Sequence, residues 1–212
     1  MAMLKILLVD DHAVVRRGLR QILEEEIAGV ACGEACDAAE ALSLLAEGGW
    51  DVLILDITLP GQSGLDVLRQ AKQKWPDLPV LVLSMHPEDQ YALRVLKIGA
   101  AGYMTKETAP DELVRAIREV LDGGQYISSS LAEKLSGSLG GKAPALPHEG
   151  LSDREYEVLR KISSGQTVGQ IADELCLSVK TISTYRSRVL QKMSMANNSE
   201  LMAYALRHEL VH

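Results

Sequence analysis

LKILLVDDHAVVRRGLRQILEEE, residues 4–26, decides the fold. Residues 4–9 are an apolar run of strand length that ends on two carboxylates, Asp10 and Asp11. The spacing then changes. Val15, Leu19, Ile22 and Leu23 fall on one stripe of a helix over 14–26. A strand apolar on both faces, followed at once by an amphipathic helix, is the repeating half of a βαβ fold. The pattern recurs. GVACGEA, DVLILD (51–56), PVLVLS (79–84) and AGYMT (101–105) read as strands. AAEALSLLAEG, LDVLRQAKQKW, DQYALRVLKIG and PDELVRAIREVLDGG read as the helices between and after them. Five βα units predict an α/β domain built on a five-stranded, doubly wound parallel sheet.

The pattern stops there. LSGSLGGKAPALPHEG (135–150) is rich in glycine, serine and proline and has no period, which predicts a flexible linker. Only helical patterns follow. The expected division is a first domain over 1–125, a linker over 126–148 and a small all-α, four-helix domain over 149–212.

Composition narrows the function classes. The net charge is −7, but residues 1–150 carry 14 Lys/Arg against 22 Asp/Glu, and residues 151–212 carry 8 against 7. A chain-wide nucleic-acid footprint is excluded, while a local one in the second domain is not. No apolar stretch approaches the ~20 residues of a membrane span, and the N-terminus lacks a signal-peptide pattern. The expected location is the cytoplasm, with no membrane partner. Cys32, Cys36 and Cys176 lack metal or disulfide spacing and are expected as reduced thiols.

In a doubly wound sheet the functional crevice lies at the carboxyl ends of the strands. Asp10 and Asp11 end the first strand, Asp56 the third and Ser84 the fourth, and Lys106 follows the fifth. Three carboxylates facing one point repel unless a cation sits among them, and an all-oxygen set suits Mg²⁺ (or Mn²⁺). Mg²⁺, a lysine and a hydroxyl together stabilise a phosphoryl group in transfer. Asp56 is the candidate nucleophile, forming an acyl phosphate. Lys106 and Ser84 are expected on phosphoryl oxygens, and the backbone carbonyl of Thr58, in the turn TLPGQSG (58–64), on the metal. Asp11 on its own reads equally as a helix N-cap. His12 has no assigned role beyond the helix start.

These residues, with D-x-x-x-P-G-x-x-G after the third strand and a lysine after Tyr-Met-Thr, resemble the receiver domain of bacterial two-component response regulators over residues 4 to about 125. The resemblance implies a flavodoxin-like fold and phosphorylation of Asp56 by a sensor histidine kinase. It implies Mg²⁺ on Asp10, Asp11, Asp56 and the Thr58 carbonyl, with Ser84 and Tyr103 as the two positions that move on phosphorylation, Tyr103 turning inward behind Ser84. His86 and Thr58 are candidates to tune the lifetime of the acyl phosphate.

The second domain opens with a capping box, Ser152 at N-cap and Glu155 at N3, flanked by Leu151 and Tyr156. Gly165 ends that helix, Thr167 caps the next, and Ser178 caps a third after the turn CLS. A short helix, a tight turn and a capped helix make a helix-turn-helix. In the third helix Ile182, Tyr185, Val189 and Met193 form the apolar face. The opposite face carries Lys180, Ser183, Thr184, Ser187, Arg188 and Gln191, and residues 178–192 contain four cations and no acid. That suits a major groove.

LSDREYEVL with IADELCLSVKTISTYRSRVLQKM also resembles the LuxR-type DNA-binding domain, so the whole chain is similar to NarL/FixJ-class response regulators. The resemblance implies Lys180 and Thr181 on the DNA backbone, and Ser183, Thr184, Ser187 and Arg188 facing the groove, with Lys192 a further DNA contact. It implies double-stranded promoter DNA bound by a homodimer through the last helix (Leu201, Met202, Ala205, Leu206), residues that read equally as part of a self-contained core, and RNA polymerase as a further partner. The protein is then no enzyme. The rivals are an aspartyl-phosphate-forming phosphohydrolase and a receiver-type docking adaptor. The first needs a second carboxylate just after Asp56, where Ile57 and Thr58 stand.

Overall fold

The computed structural model describes residues 3–128, 131–132 and 146–211. They fall into two compact units, one on either side of residue 141.

The first unit holds β1 (Leu4–Val9), β2 (Val30–Ala35), β3 (Val52–Asp56), β4 (Val80–Ser84) and β5 (Gly102–Thr105). All pairings are parallel, in the order β2-β1-β3-β4-β5. Every residue of β3 and β4 is buried, as their unbroken Val/Leu/Ile runs require. β2 is an edge strand and only half-buried. Its Gly33 leaves room for Trp50, since a Cβ there would lie 2.2 Å from the indole ring.

Five helices cover the sheet: α1 (Ala13–Glu26), α2 (Ala38–Glu47), α3 (Gly64–Lys74), α4 (Glu88–Ile98) and α5 (Ala109–Leu121). Leu19 and Leu23 of α1 pack with Leu113 and Ile117 of α5 against Ile6, Leu8 and Ile54. Asp37 caps α2 by accepting the Glu40 N–H at 2.9 Å. Asp11 caps nothing: the N-cap of α1 is His12, whose side chain makes no capping bond.

The first unit continues past residue 125, where the linker was expected to start. The Tyr126 N–H donates to the Ala101 carbonyl at 2.8 Å, and Tyr126 bridges Gly102 beside β5. Gly102 permits that approach, because a Cβ would stand 2.8 Å from the Tyr126 carbonyl oxygen. The Tyr126 hydroxyl donates to Glu112, Arg115 lies over its ring, and Leu131 is buried. Residues 133–145 of the expected linker lie outside the described residues.

The second unit opens with a 3-10 turn, Pro147–Gly150, where His148 meets the Tyr204 hydroxyl at 2.8 Å. It continues as α6 (Asp153–Ser163), α7 (Val168–Glu174), α8 (Val179–Lys192) and α9 (Asn198–Arg207). The Ser152/Glu155 capping box forms in both directions, and Thr167 with Gln170 makes a second one. Ser178 caps α8 and Asn197 caps α9. Leu159, Ile162, Ile171, Ile182, Val189 and Leu201 form the core. Leu201 and Ala205 of α9 belong to this core, while Leu206 is exposed, so only part of the stripe expected at a dimer contact is free. Among the described residues no helix is long and apolar enough to cross a membrane.

Replacing Tyr126 with alanine is expected to cost the first unit about 3 kcal/mol, from the buried ring and its bond to Glu112. Denaturant unfolding of the full chain measures this; wild-type stability would place residue 126 outside the first unit's packing.

Candidate functional site

The carboxyl ends of β1, β3 and β4 and the turn after β5 bring Asp10, Asp56, Ser84 and Lys106 together. Asp10 and Asp56 are almost wholly buried. The Lys106 ammonium lies 2.7 Å from Oδ2 of each. The contact to Asp56 is the better aligned of the two for a hydrogen bond, and one ammonium serves both carboxylates. The other oxygens are held by backbone. The Thr58 N–H donates to Asp56 Oδ1 at 2.9 Å, and the His12 N–H to Asp10 Oδ1 at 2.8 Å.

Burial pushes the Asp56 carboxyl up to about 6, against the pull of Lys106 and of the Thr58 N–H. Burial acts on Lys106 in the other direction, yet Asp56 and Asp10 outweigh it and hold the ammonium above its ordinary value.

Ligand atoms of Asp10, Asp11, His12 and Asp56 all lie within 4.8 Å of one another. Three carboxylates this close, with a single ammonium among them, fit a divalent cation. His12 is the member that sequence reasoning left out. Its Nδ1 stands 2.7 Å from Asp11 Oδ1 and 3.3 Å from Asp10 Oδ1.

Two further residues shape the site. A Cβ on Gly64, the first residue of α3, would meet the Asp56 carbonyl oxygen at 2.0 Å, so the helix can start against β3 only with glycine there. Its place in P-G-Q-S-G was the available signal. Arg16 donates to the Asp10 carbonyl at 2.5 Å and to Glu34 at 3.1 Å, bracing the turn after β1. Nothing in the sequence sets it apart from Arg17.

Ser84 is fully buried, and its Oγ accepts the His86 N–H at 3.0 Å. The Tyr103 hydroxyl donates to the His86 carbonyl at 2.7 Å. One residue of the β4–α4 loop is therefore bonded through both its N–H and its carbonyl by the two residues expected to move. Tyr103 already points inward here, with no exposed surface, so an inward turn reserved for the phosphorylated form is not what this structure shows.

In the second unit, Lys180, Ser183, Thr184, Ser187 and Arg188 are exposed along α8, and Thr181 is half-buried beside the Ser178 cap. The cations divide. Arg186 donates to Asn198 at 2.7 Å, and Lys192 meets Glu155 at 2.6 Å. Burial raises the Glu155 carboxyl, but Lys192 and Ser152 outweigh it and hold the group below its ordinary value. Lys192, expected on DNA, is thus engaged in tying α8 to the start of α6.

The raised Asp56 value has a stability consequence without metal. The folded chain holds this proton up to about pH 6 and the unfolded chain only to about 3.8. The stabilisation is complete below the lower value and lost as pH rises through the upper one. At pH 7.5 in chelator, Asp56→Asn is therefore expected to stabilise the first unit by up to about 3 kcal/mol. The gain should shrink toward pH 4. Thermal melts across pH read it, and a variant less stable than wild type at pH 7.5 would contradict it.

Comparison with known proteins agrees with this geometry. Residues 6–118 match the response regulator receiver domain model, and residues 149–205 match the model of the luxR family of bacterial regulatory proteins. The chain is 39% identical over 215 residues to the response regulator GacA of Pseudomonas aeruginosa, covering 99% of this chain and 98% of that protein. It is 37% identical over 210 residues to the response regulator UvrY of Escherichia coli, covering 98% and 96%. Among solved structures it is similar to RcsB of Salmonella enterica serovar Typhimurium bound to promoter rprA in the presence of the phosphomimetic BeF3⁻. That match has a TM-score of 0.63 and 29% identity, covering 95% of this chain and 98% of that one. An RcsB–DNA complex matches with a TM-score of 0.59 and 28% identity over the whole of both chains. A phosphoacceptor-type acidic crevice on a receiver fold, joined to a capped helix-turn-helix unit, places this chain in the NarL/FixJ class of two-component response regulators, which control DNA binding and transcription.

Proposed function

We propose that Asp56 accepts a phosphoryl group from a sensor histidine kinase and that this controls promoter binding by the second unit. The observation that carries the reading is the buried Asp10–Lys106–Asp56 cluster at the sheet's carboxyl edge, with both ion pairs at 2.7 Å. An Asp56 carboxylate oxygen attacks phosphorus, a P–O bond forms, and the bond from phosphorus to the donor's imidazole nitrogen breaks with its electron pair going to that nitrogen. Asp10, Asp11, Asp56 and the Thr58 carbonyl would hold Mg²⁺, and His12 lies in the same cluster. The cation supplies charge neutralisation for phosphoryl oxygens.

Lys106 acts on the other side. Its ammonium already faces the carboxylate and neutralises the charge that develops beside it. Phosphorylation adds roughly −1.5 to −2 of charge at Asp56. Ser84 then serves as a hydroxyl donor to a phosphoryl oxygen, a bond that uses its proton while an Oγ lone pair accepts the His86 N–H. The bond from Tyr103 to the His86 carbonyl keeps this loop, and with it the start of α4, answerable to Ser84.

Lys180, Thr181, Ser183, Thr184, Ser187, Arg188 and Lys192, the last also paired with Glu155, are the DNA-facing residues in this reading, and two copies of the chain grip two half-sites. RcsB supplies the parallel, a relative found on promoter DNA with a phosphomimetic present. The protein is a switch and no turnover catalyst, because Ile57 and Thr58 occupy the place of a second acid.

Wild-type protein is expected to incorporate phosphoryl from acetyl phosphate with Mg²⁺, and Asp56→Asn to lose at least nine-tenths of that label. Labelling of Asp56→Asn at the wild-type rate would move the acceptor elsewhere. Steady hydrolysis of a generic phosphomonoester would favour the phosphohydrolase. Absence of any salt-dependent shift with duplex DNA would favour the adaptor.

A further inference from the structure

Val179 is the first residue of α8 and is 55% exposed. Every fully exposed residue after it on the helix is polar: Lys180, Ser183, Thr184, Ser187, Arg188, Gln191 and Lys192. A β-branched apolar side chain at an exposed helix start gains nothing from burial and little from propensity. Its position is nonetheless fixed, because Ser178 accepts the Thr181 N–H at 3.1 Å and defines the start of the helix. In a helix-turn-helix the first residues of the second helix are the ones that reach base edges. Val179 lies in a row with Ser183 and Ser187, and Lys180, Thr184 and Arg188 form the row beside it.

The hydroxyls on these rows carry a second, independent observation. Thr184 Oγ1 donates to the Lys180 carbonyl at 2.9 Å, and Ser187 Oγ donates to the Ser183 carbonyl at 3.0 Å. Their protons are spent within the helix, which leaves oxygen lone pairs pointing outward. In the major groove an acceptor finds the amino groups of adenine and cytosine, and an apolar side chain finds the methyl group of thymine. Adenine amino and thymine methyl are presented together by a single A·T pair.

We propose that Val179 is a specificity-determining residue that reads a thymine methyl, with Thr184 accepting from the adenine of an A·T pair in each half-site. This rests on the DNA-binding reading above. It adds to it the class of base pair recognised and a residue whose apolar character had no assigned use.

The test uses the full chain, phosphorylated with acetyl phosphate and Mg²⁺, and duplexes selected by the wild type from a random pool. Each thymine in a selected duplex is replaced in turn by deoxyuridine, which removes only the methyl group. Wild type is expected to lose roughly three- to tenfold in affinity at one thymine per half-site. Val179→Ala is expected to lose the same factor on the unmodified duplex and to be indifferent to deoxyuridine there. Val179→Thr, which keeps one methyl group, should fall between them. Equal melting temperatures for the three proteins exclude a folding effect, as expected for an exposed side chain. The inference is overturned if Val179→Ala keeps both wild-type affinity and the deoxyuridine penalty, or if no selected thymine is sensitive to its methyl. If the wild type selects and binds no duplex at low salt, the DNA-binding reading itself fails and this inference with it.

Discussion

Two carboxylates and one ammonium are buried at the edge of a sheet whose interior is mostly Val, Leu and Ile. Their mutual contacts at 2.7 Å are the condition for everything else at the site. Removing the lysine would leave two buried carboxylates uncompensated, and breaking such a pair typically costs about 3–5 kcal/mol. Replacing all three with apolar groups would cost little. A fold that needed only stability would make that replacement. The cluster is therefore a reservoir of unfavourable electrostatics, and the Asp56 carboxyl near 6 is its direct signature. In the proposed function a divalent cation and a phosphoryl group would discharge it, because together they satisfy both the surplus oxygens and the lysine.

Close backbone approach holds this reservoir in place. Gly64 lets α3 begin on the Asp56 carbonyl, and the Thr58 N–H fixes one carboxylate oxygen. Arg16 pins the Asp10 carbonyl from the α1 side. The charged atoms therefore cannot relax apart by moving their backbones. Beside the site, in the β4–α4 loop, the His86 N–H is bonded by Ser84 and the His86 carbonyl by Tyr103. In the proposed function a phosphoryl group on Asp56 would engage the Ser84 hydroxyl proton, and the loop that Ser84 and Tyr103 both bond would register it.

The sheet was legible because its signal is a change of period. Continuous apolar runs such as VLILD alternate with 3.6-residue stripes, and each strand's last residue announces the crevice. The helix starts in the second unit were legible because Ser152, Thr167 and Ser178 are side-chain caps, a local effect that needs no tertiary information. What escaped depends on atoms distant in sequence. Tyr126 belongs to the first unit only because Gly102 leaves space beside β5, and no local pattern at 126 says so. Lys192 looked like a DNA contact because a cation near a helix end is consistent with one. Its engagement by Glu155, 37 residues earlier, comes from helix packing. His12 fell between readings because its imidazole acquires meaning only once Asp10 and Asp11 are placed around it.

The division of cations on α8 bears on how such a chain holds DNA at all. Of four positive side chains between 178 and 192, Arg186 is tied to Asn198 and Lys192 to Glu155. Lys180 and Arg188 have no ion-pair partner among the described residues. Each phosphate neutralised contributes to affinity through counterion release, so this helix offers one copy of the chain a small electrostatic grip. The chain as a whole is −7, which opposes approach to a polyanion. A second copy on an adjacent half-site doubles the free cations, and its binding becomes effectively intramolecular once the first is seated. A weakly gripping helix thus makes occupancy depend on pairing, and pairing is what a phosphorylated receiver is in a position to control. Had all four cations faced the groove, a single unphosphorylated copy would bind more tightly and the switch would have less to regulate.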